Sequence, residues 1–255
     1  MIRETKEHLV SIITPSYNSE KFISETITSI INQTYTNWEL LITDDFSTDS
    51  TIQIIKKFQE ADSRIKLLLL KKNAGAGIAR NNSIKFAKGK YIAFCDSDDQ
   101  WKENKIEKQI DFMISNNLYF TYSSYEVIDE KNNKLKSIYA PEKLNYKQML
   151  CNNYVGCLTA VYDQEKLGKI YMSKIRKRQD WTLWLKIFKI INHSSGIVEP
   201  LAVYRDRSNS ISNNKFDLLK FNWIVYNKEL GYNKVKSLIL LTFFLYYYAR
   251  KKIFK

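Results

Sequence analysis

Two periods of hydrophobic positions alternate along the N-terminal part of this chain. Apolar runs at Leu9–Thr14, Glu39–Thr43, Ile65–Leu70 and Tyr91–Cys95 read as short buried strands. Between the first two, Ile23, Ile27, Ile30 and Ile31 follow the i, i+4, i+7, i+8 spacing of a helix face. Ser47–Asp49 offers N-cap chemistry for a helix running to about Gln59, and Ile78–Ala87 carries another. Ile106, Ile110, Met113 and Ile114 repeat the helix spacing after the fourth strand. Successive strand–helix units predict an α/β fold with a parallel sheet and right-handed crossovers. Further on, Cys157–Tyr162 reads as a strand and Trp181–Phe188 as a helix, with Asp180 suited to be its N-cap.

In a parallel sheet, ligands sit beyond the carboxyl ends of the strands, and the chemistry of this chain concentrates there. The first strand leads into Pro15-Ser16-Tyr17-Asn18 and the second into Asp44-Asp45-Phe46-Ser47-Thr48-Asp49. The third leads into Asn73-Ala74-Gly75-Ala76-Gly77, with Arg80 just beyond, and the fourth into Asp96-Ser97-Asp98-Asp99. Three carboxylates in four positions repel one another unless neutralised. A hard divalent cation shared with a ligand phosphate does this, because Mg²⁺ and Mn²⁺ take a few carboxylate oxygens and then phosphate oxygens. Tyr17 can stack on a base, Asp45 can accept from a base N–H, and Arg80 can meet a phosphate. Each loop alone reads equally as a cap or turn; together they predict a nucleotide-diphosphate site.

Composition narrows the class. At 255 residues and 44% hydrophobic, the chain can bury one sizeable core. Cys95, Cys151 and Cys157 show no paired spacing, and two His form no zinc pattern, which suits a reducing cytoplasm. The Leu9–Thr14 run is too short for a signal-peptide core, so no secretion signal is expected. The net charge of +13 invites a nucleic-acid reading, yet residues 215–255 alone hold nine Lys and Arg against Asp217 and Glu229, and no nucleic-acid motif appears.

These loops carry a family resemblance. Ser11–Asn18, Asp44–Ser50, Asn73–Asn81 and Ala87–Asp99 resemble, in order, the nucleotide-binding loops and Asp-X-Asp segment of family 2 glycosyltransferases. The likeness runs from about Val10 to Ser212 and is nearest to bacterial O-antigen, capsule and teichuronic acid enzymes. It implies a GT-A type fold: a mostly parallel central sheet flanked by helices, with a C-terminal helical extension. It also implies a nucleotide-sugar half at 1–104, an acceptor and catalytic-base half at 105–212, and a basic tail at 213–255.

The resemblance assigns roles. Pro15, Tyr17 and Asp45 would hold the uracil of a UDP-sugar, Asp96 would face the ribose, and Arg80 would orient the diphosphate or sugar. Asn18, Asn73 and Ser97 complete the donor-binding set, and Asp98 would ligate Mn²⁺ or Mg²⁺. Arg178-Gln179-Asp180-Trp181 resembles the segment whose Asp deprotonates the acceptor, with Gln179 where Glu is commoner. Asp180 is then the catalytic base of an inverting transfer. Glu199–Ser212 resembles the closing loop, with Arg207 near a position where many relatives carry His; Arg207 can neutralise phosphate but cannot ligate a cation. Arg205 and Arg207 read otherwise as surface charges.

In the tail, Leu238–Tyr248 is apolar and aromatic, bracketed by Lys234 and Lys236 and by Arg250-Lys251-Lys252. It is shorter than the roughly 18–20 residues needed to span a bilayer. It suits either an anionic membrane surface, peripheral on the inner face of the cell membrane, or a helix packed on the domain or on the second subunit of a homodimer. The implied acceptor is a saccharide linked to polyprenyl diphosphate. A nucleotidyltransferase sharing the metal–nucleotide site is the alternative enzyme; a basic nucleic-acid binder is the alternative outside enzymes.

Overall fold

The computed structural model describes residues 8–207 and 215–253. Four of the expected strands form as β1 (Val10–Ser16), β2 (Trp38–Asp44), β3 (Ile65–Leu69) and β4 (Tyr91–Phe94). They pair in parallel in the order β3-β2-β1-β4, with Ile12 opposite Leu40 and Ala93. Alternate residues serve two cores. Ile12, Leu40, Ile42 and Ala93 pack with Ile23, Ile27 and Ile30 of α1 (Ile23–Ile31) and with Ile55 of α2 (Thr51–Ala61). Ile13, Leu41, Ile92 and Phe94 face the other way, toward Ile84 of α3 (Ala76–Phe86). Helices on both faces explain why these strands read as nearly continuous apolar runs.

Beyond β4 the sheet becomes mixed. After β5 (Gln100–Trp101) and α4 (Lys105–Ser115) come β6 (Phe120–Ile128), β7 (Lys134–Ile138), β8 (Lys143–Asn145) and α5 (Tyr146–Cys151). They are followed by β9 (Val161–Asp163), α6 (Gln164–Leu167), α7 (Gln179–Ile191) and β10 (His193–Arg205). The sheet continues β4-β9-β6-β10-β5, with β9 antiparallel to β4 and β6, and β10 parallel to β6. Trp181, Trp184 and Phe188 of α7 fill the second core against Phe94 and Phe120.

Three local expectations change. Cys157–Thr159 is a 3-10 turn, and the strand begins only at Val161. Both the amide and the hydroxyl of Thr159 donate to the Gly156 carbonyl, at 3.0 and 2.8 Å, a local closure that competes with extended pairing. Helix α7 starts at Gln179, one residue ahead of Asp180, so Asp180 lies inside its first turn and is not its N-cap. Arg178 takes the flanking position with left-handed backbone, φ 68°. At α2, Asp49 alone of the proposed caps serves the helix start, accepting from the Thr51 amide at 3.0 Å; Ser47 bonds Asp44 instead.

The tail folds as α8 (Lys215–Ile224), a π-helical stretch at Val225–Glu229, a turn at Gly231 (φ 66°) and α9 (Lys234–Ile253). Asn233 accepts from the Lys236 amide at 2.8 Å and starts α9. Phe244 is buried against Trp181, with Leu240 and Leu241 beside it. Val235, Leu238, Ile239, Phe243 and Tyr246 remain outward, between 49% and 70% exposed. The tail therefore packs on the domain and still presents an apolar side. Among the described residues no helix is long and apolar enough to cross a membrane. The side chains of Arg250, Lys251 and Lys252 lie outside those described, as do residues 208–212 of the expected closing loop.

Candidate active site

At the carboxyl ends of β1 to β4 the loops are cross-braced. Asp44, closing β2, accepts from the Ser16 hydroxyl at 2.9 Å and from the Ser47 amide and hydroxyl at 2.8 and 2.6 Å. This folds the chain back at Phe46, whose φ is 71°. Asp45 is buried, and its two oxygens accept from the amides of Ala74 and Gly75, each at 2.7 Å. The Asp45 amide donates to Ser16 at 2.8 Å. Buried Pro15, exposed Tyr17, Asp45 and exposed Asn73 thus fall in one neighbourhood. Asp45 fixes the loop after β3; each oxygen keeps a second lone pair for a ligand N–H. Asn18, also at positive φ, latches the loop after β2 by accepting from the Thr48 amide at 2.9 Å. Ser97 is buried and its hydroxyl shares a hydrogen bond with that of Ser19 at 2.7 Å.

Arg80 reaches from α3 to the end of β4. It donates to Asp96 at 2.5 Å and to Gln179 at 3.3 Å, and its Nε is buried without a partner among the described residues. The neutral Gln179 accepts from Arg80 while donating to the Ile175 carbonyl at 2.6 Å. A carboxylate could not make that second bond, which accounts for Gln in this place. The packing is close: a Cβ on Gly77 would come within 2.7 Å of the Gln179 amide.

Burial pushes the carboxyls of Asp98 and Asp99 upward, Asp99 strongly. Asp96 pushes both further, and for Asp98 the Arg207 guanidinium opposes the shift. Arg207 Nε lies 2.7 Å from Asp98 Oδ2. Arg205 is no surface charge: it is 1% exposed and bonds Glu25 at 2.7 Å, Asn132 at 2.7 Å and the Asp98 carbonyl at 3.0 Å. Its own amide donates to Asp99 at 3.0 Å. The long β10 strand is thereby tied to the acidic turn.

The donor set fits a hard divalent ion. Asp98 offers a carboxylate whose surroundings disfavour its charge, and no cluster of three or more His, Cys, Asp or Glu forms a ready cage among the described residues. One carboxylate suffices only when ligand phosphates supply further oxygens, as Mg²⁺-type sites commonly arrange.

A cavity of about 440 Å³ opens beside this cluster. Arg80, Asp96, Asp99, Asn153, Cys157, Gln179 and Asp180 line it, as do Tyr125, Tyr204 and the run Arg176–Arg178. Asp180 Oδ2 accepts from Asn153 Nδ2 at 2.8 Å, so the chain after α5 holds the carboxylate. Arg80, Asp96 and Asp180 therefore share one cavity, whereas Pro15, Tyr17, Asn18, Asp45 and Asn73 stand outside its lining. Arg207 lines a second hollow of about 510 Å³ with Asn18, Phe22 and Asp49. Sequence reasoning missed Glu25 and Ser19. Nothing in the local pattern marks them, because their partners lie on distant elements.

With this geometry in place, comparison with known proteins is decisive. The family model "Glycosyl transferase family 2" matches residues 11–168. The chain belongs to this family. It is similar to a provisionally named teichuronic acid biosynthesis glycosyltransferase, TuaG, of Bacillus subtilis (strain 168), with 43% identity covering 86% of this chain and 88% of that one. It is 45% identical to the Escherichia coli UDP-Glc:alpha-D-GlcNAc-diphosphoundecaprenol beta-1,3-glucosyltransferase WfgD, covering 86% of this chain and 85% of that one. Among solved structures, S. aureus TarS 1-349 in complex with UDP-GlcNAc superposes with TM-score 0.70 at 20% identity, covering 92% of this chain and 71% of that one. The mannosyltransferase PcManGT from Pyrobaculum calidifontis, in complex with GDP-Man and Mn²⁺, gives 0.65 at 17%, covering 89% and 65%. These two likenesses show the fold, which is GT-A. The enzyme is a glycosyltransferase.

Proposed function

We propose that the protein transfers a sugar from a UDP-sugar to a saccharide linked to polyprenyl diphosphate, with inversion at the anomeric carbon. The observation that carries this reading is the meeting of Arg80, Asp96 and Asp180 in one cavity, with Asp98 near enough to feel the charge of Asp96. Similarity to a glucosyltransferase named for a UDP-Glc donor and a diphosphoundecaprenol acceptor supports both substrates.

In this reading the N-terminal loops hold the nucleotide. Tyr17 covers the base, Asp45 accepts from a base N–H while bracing the Asn73 loop, and Asp96 faces the ribose. Arg80, fixed by Asp96 and Gln179, sets the diphosphate and the anomeric carbon in place. Asp98 would hold Mn²⁺ or Mg²⁺, which when bound supplies Lewis-acid stabilisation of charge on the departing diphosphate. Arg207, beside Asp98 Oδ2, adds its charge to a phosphate oxygen of the bound donor. Asp180, oriented by Asn153, takes the acceptor hydroxyl proton as that oxygen attacks. A single carboxylate acting on the acceptor, with no enzyme nucleophile on the sugar, gives inversion.

The tail completes the reading. Lys234 and Lys236 flank the outward apolar side of α9, a combination that suits an anionic leaflet and supports a peripheral position at the membrane. Thermal denaturation with UDP, GDP and CDP, each with Mn²⁺, tests the donor class. A ligand held at one hundred times its Kd raises stability by about 2.7 kcal/mol. UDP alone should give a large upward shift; an equal shift with all three would remove the base-recognition roles of Tyr17 and Asp45.

A further inference from the structure

Arg176, Lys177 and Arg178 line the cavity that contains Asp180, yet the donor roles above use none of them. They lead directly into α7, and Arg178 holds a left-handed backbone, φ 68° and ψ 20°, which residues with a side chain adopt at some cost. The guanidinium of Arg178 sits 5.6 Å from the ring of Trp181 and 5.7 Å from that of Phe244, so the cationic run reaches α9. Outward on α9 lie Leu238, Ile239, Phe243 and Tyr246. The cavity at Asp180 therefore has a cationic rim, and that rim touches α9 at its buried Phe244 side.

A sugar carried on a diphosphate presents a polar sugar next to a dianionic linker, which matches a polar cavity with a cationic rim. We propose that Arg176, Lys177 and Arg178 form a second diphosphate site, which binds the linker of the acceptor while its sugar hydroxyl rests at Asp180. The inference rests on the transferase reading above and adds to it the place where the acceptor is anchored. Its chemistry is that of charge-assisted hydrogen bonding, in which guanidinium groups pair phosphate oxygens two at a time. The N-terminus of α7, a helix of 13 residues, adds its partial positive charge at the same rim. The donor diphosphate has separate cationic partners at Arg80 and Arg207. Two diphosphates can then be held at once, one leaving and one retained.

The test pairs Arg176→Ala with Lys177→Ala in one variant and compares two acceptors carrying the same sugar. One bears a short prenyl diphosphate and the other a neutral octyl group. Each lost charge-assisted contact should weaken binding by about tenfold. KM for the diphosphate acceptor should accordingly rise roughly 10- to 100-fold. KM and kcat on the octyl acceptor should stay within about threefold, as should the Kd of UDP by calorimetry, which also reports an intact fold. Arg176→Lys, which keeps the charge, should retain most of the affinity. Equal losses on both acceptors, an unchanged KM for the diphosphate acceptor, or a parallel loss of UDP binding would each overturn the assignment. A parent enzyme that binds UDP but uses neither acceptor would overturn the transferase reading itself, before any variant is made.

Discussion

Replacing Asp180 with Asn separates chemistry from binding. The two side chains have the same shape, and Asn153 Nδ2 donates to one Asp180 oxygen at 2.8 Å. An amide at position 180 can keep that contact through its own oxygen. Its NH₂ group then stands where the second carboxylate oxygen was, and an acceptor becomes a donor at the atom that should take the proton. General-base assistance is typically worth about 10²–10⁴ in rate. At about 1.36 kcal/mol per decade, this raises the barrier by roughly 2.7–5.4 kcal/mol. Steady-state UDP release with saturating donor and acceptor reads kcat, and calorimetry reads the affinity for UDP. We expect kcat to fall by at least about 10²-fold while the Kd of UDP changes less than about twofold, since Asp180 acts on the acceptor. A kcat loss below about tenfold, or a matching loss of UDP affinity, would refute the base assignment.

Asp98→Ala should abolish metal-dependent UDP binding, and Arg207→Ala should weaken UDP binding at saturating Mn²⁺ by about tenfold, the worth of one charge-assisted bond. Calorimetry with UDP, with and without Mn²⁺, reads both, and unchanged UDP affinity in Arg207→Ala would remove its role at the phosphate. Lys105 is fully buried over the Trp101 ring at 3.9 Å, its Nζ lacks a hydrogen-bond partner among the described residues, and burial lowers its pKa to about 7 from 10.5. The unfolded chain then binds more protons than the folded one between those values, so stability should rise with pH from about 7 toward 10. Lys105→Met should be more stable at pH 7 and lose that rise; denaturant melts at pH 7 and 9 that still show the parent's slope would exclude Lys105 as its source. Ile239→Ser combined with Phe243→Ser should weaken binding to anionic vesicles with the melting temperature nearly unchanged, because both residues are about half exposed. A fold lost in that variant would make the outward side of α9 a structural surface.

The first four strands and their helices are legible because both faces of the sheet are covered. Their apolar runs then need no knowledge of distant partners. Asp96 and Asp98 stand out as candidates for a related reason, since they follow directly on the clear run of β4, whereas Arg80 lies inside α3 and is singled out by the loop before it. The second half reads less well. Gly156 with Thr159 closes a local turn that defeats a strand pattern, and Arg178 starts α7 in a backbone region that sequence does not favour. Arg205 looks like a loop charge because Glu25, Asn132 and the acidic turn that bury it come from separate parts of the chain. Helix α9 was read as either packed or interfacial, and it is packed through Phe244 while apolar outside, a division that an even apolar run does not display.

The proposed reaction is a sugar transfer that inverts configuration onto an acceptor linked through diphosphate. Its most direct test incubates the protein and Mn²⁺ with UDP-glucose, UDP-galactose, UDP-N-acetylglucosamine and UDP-N-acetylgalactosamine in turn, each with N-acetylglucosamine joined to a prenyl diphosphate. The anomeric proton coupling of the product is then read by NMR. The account predicts release of UDP and one new glycosidic bond, β in configuration from an α-linked donor. An α-linked product, or release of sugar 1-phosphate with the uridylyl group joined to the acceptor, would contradict it.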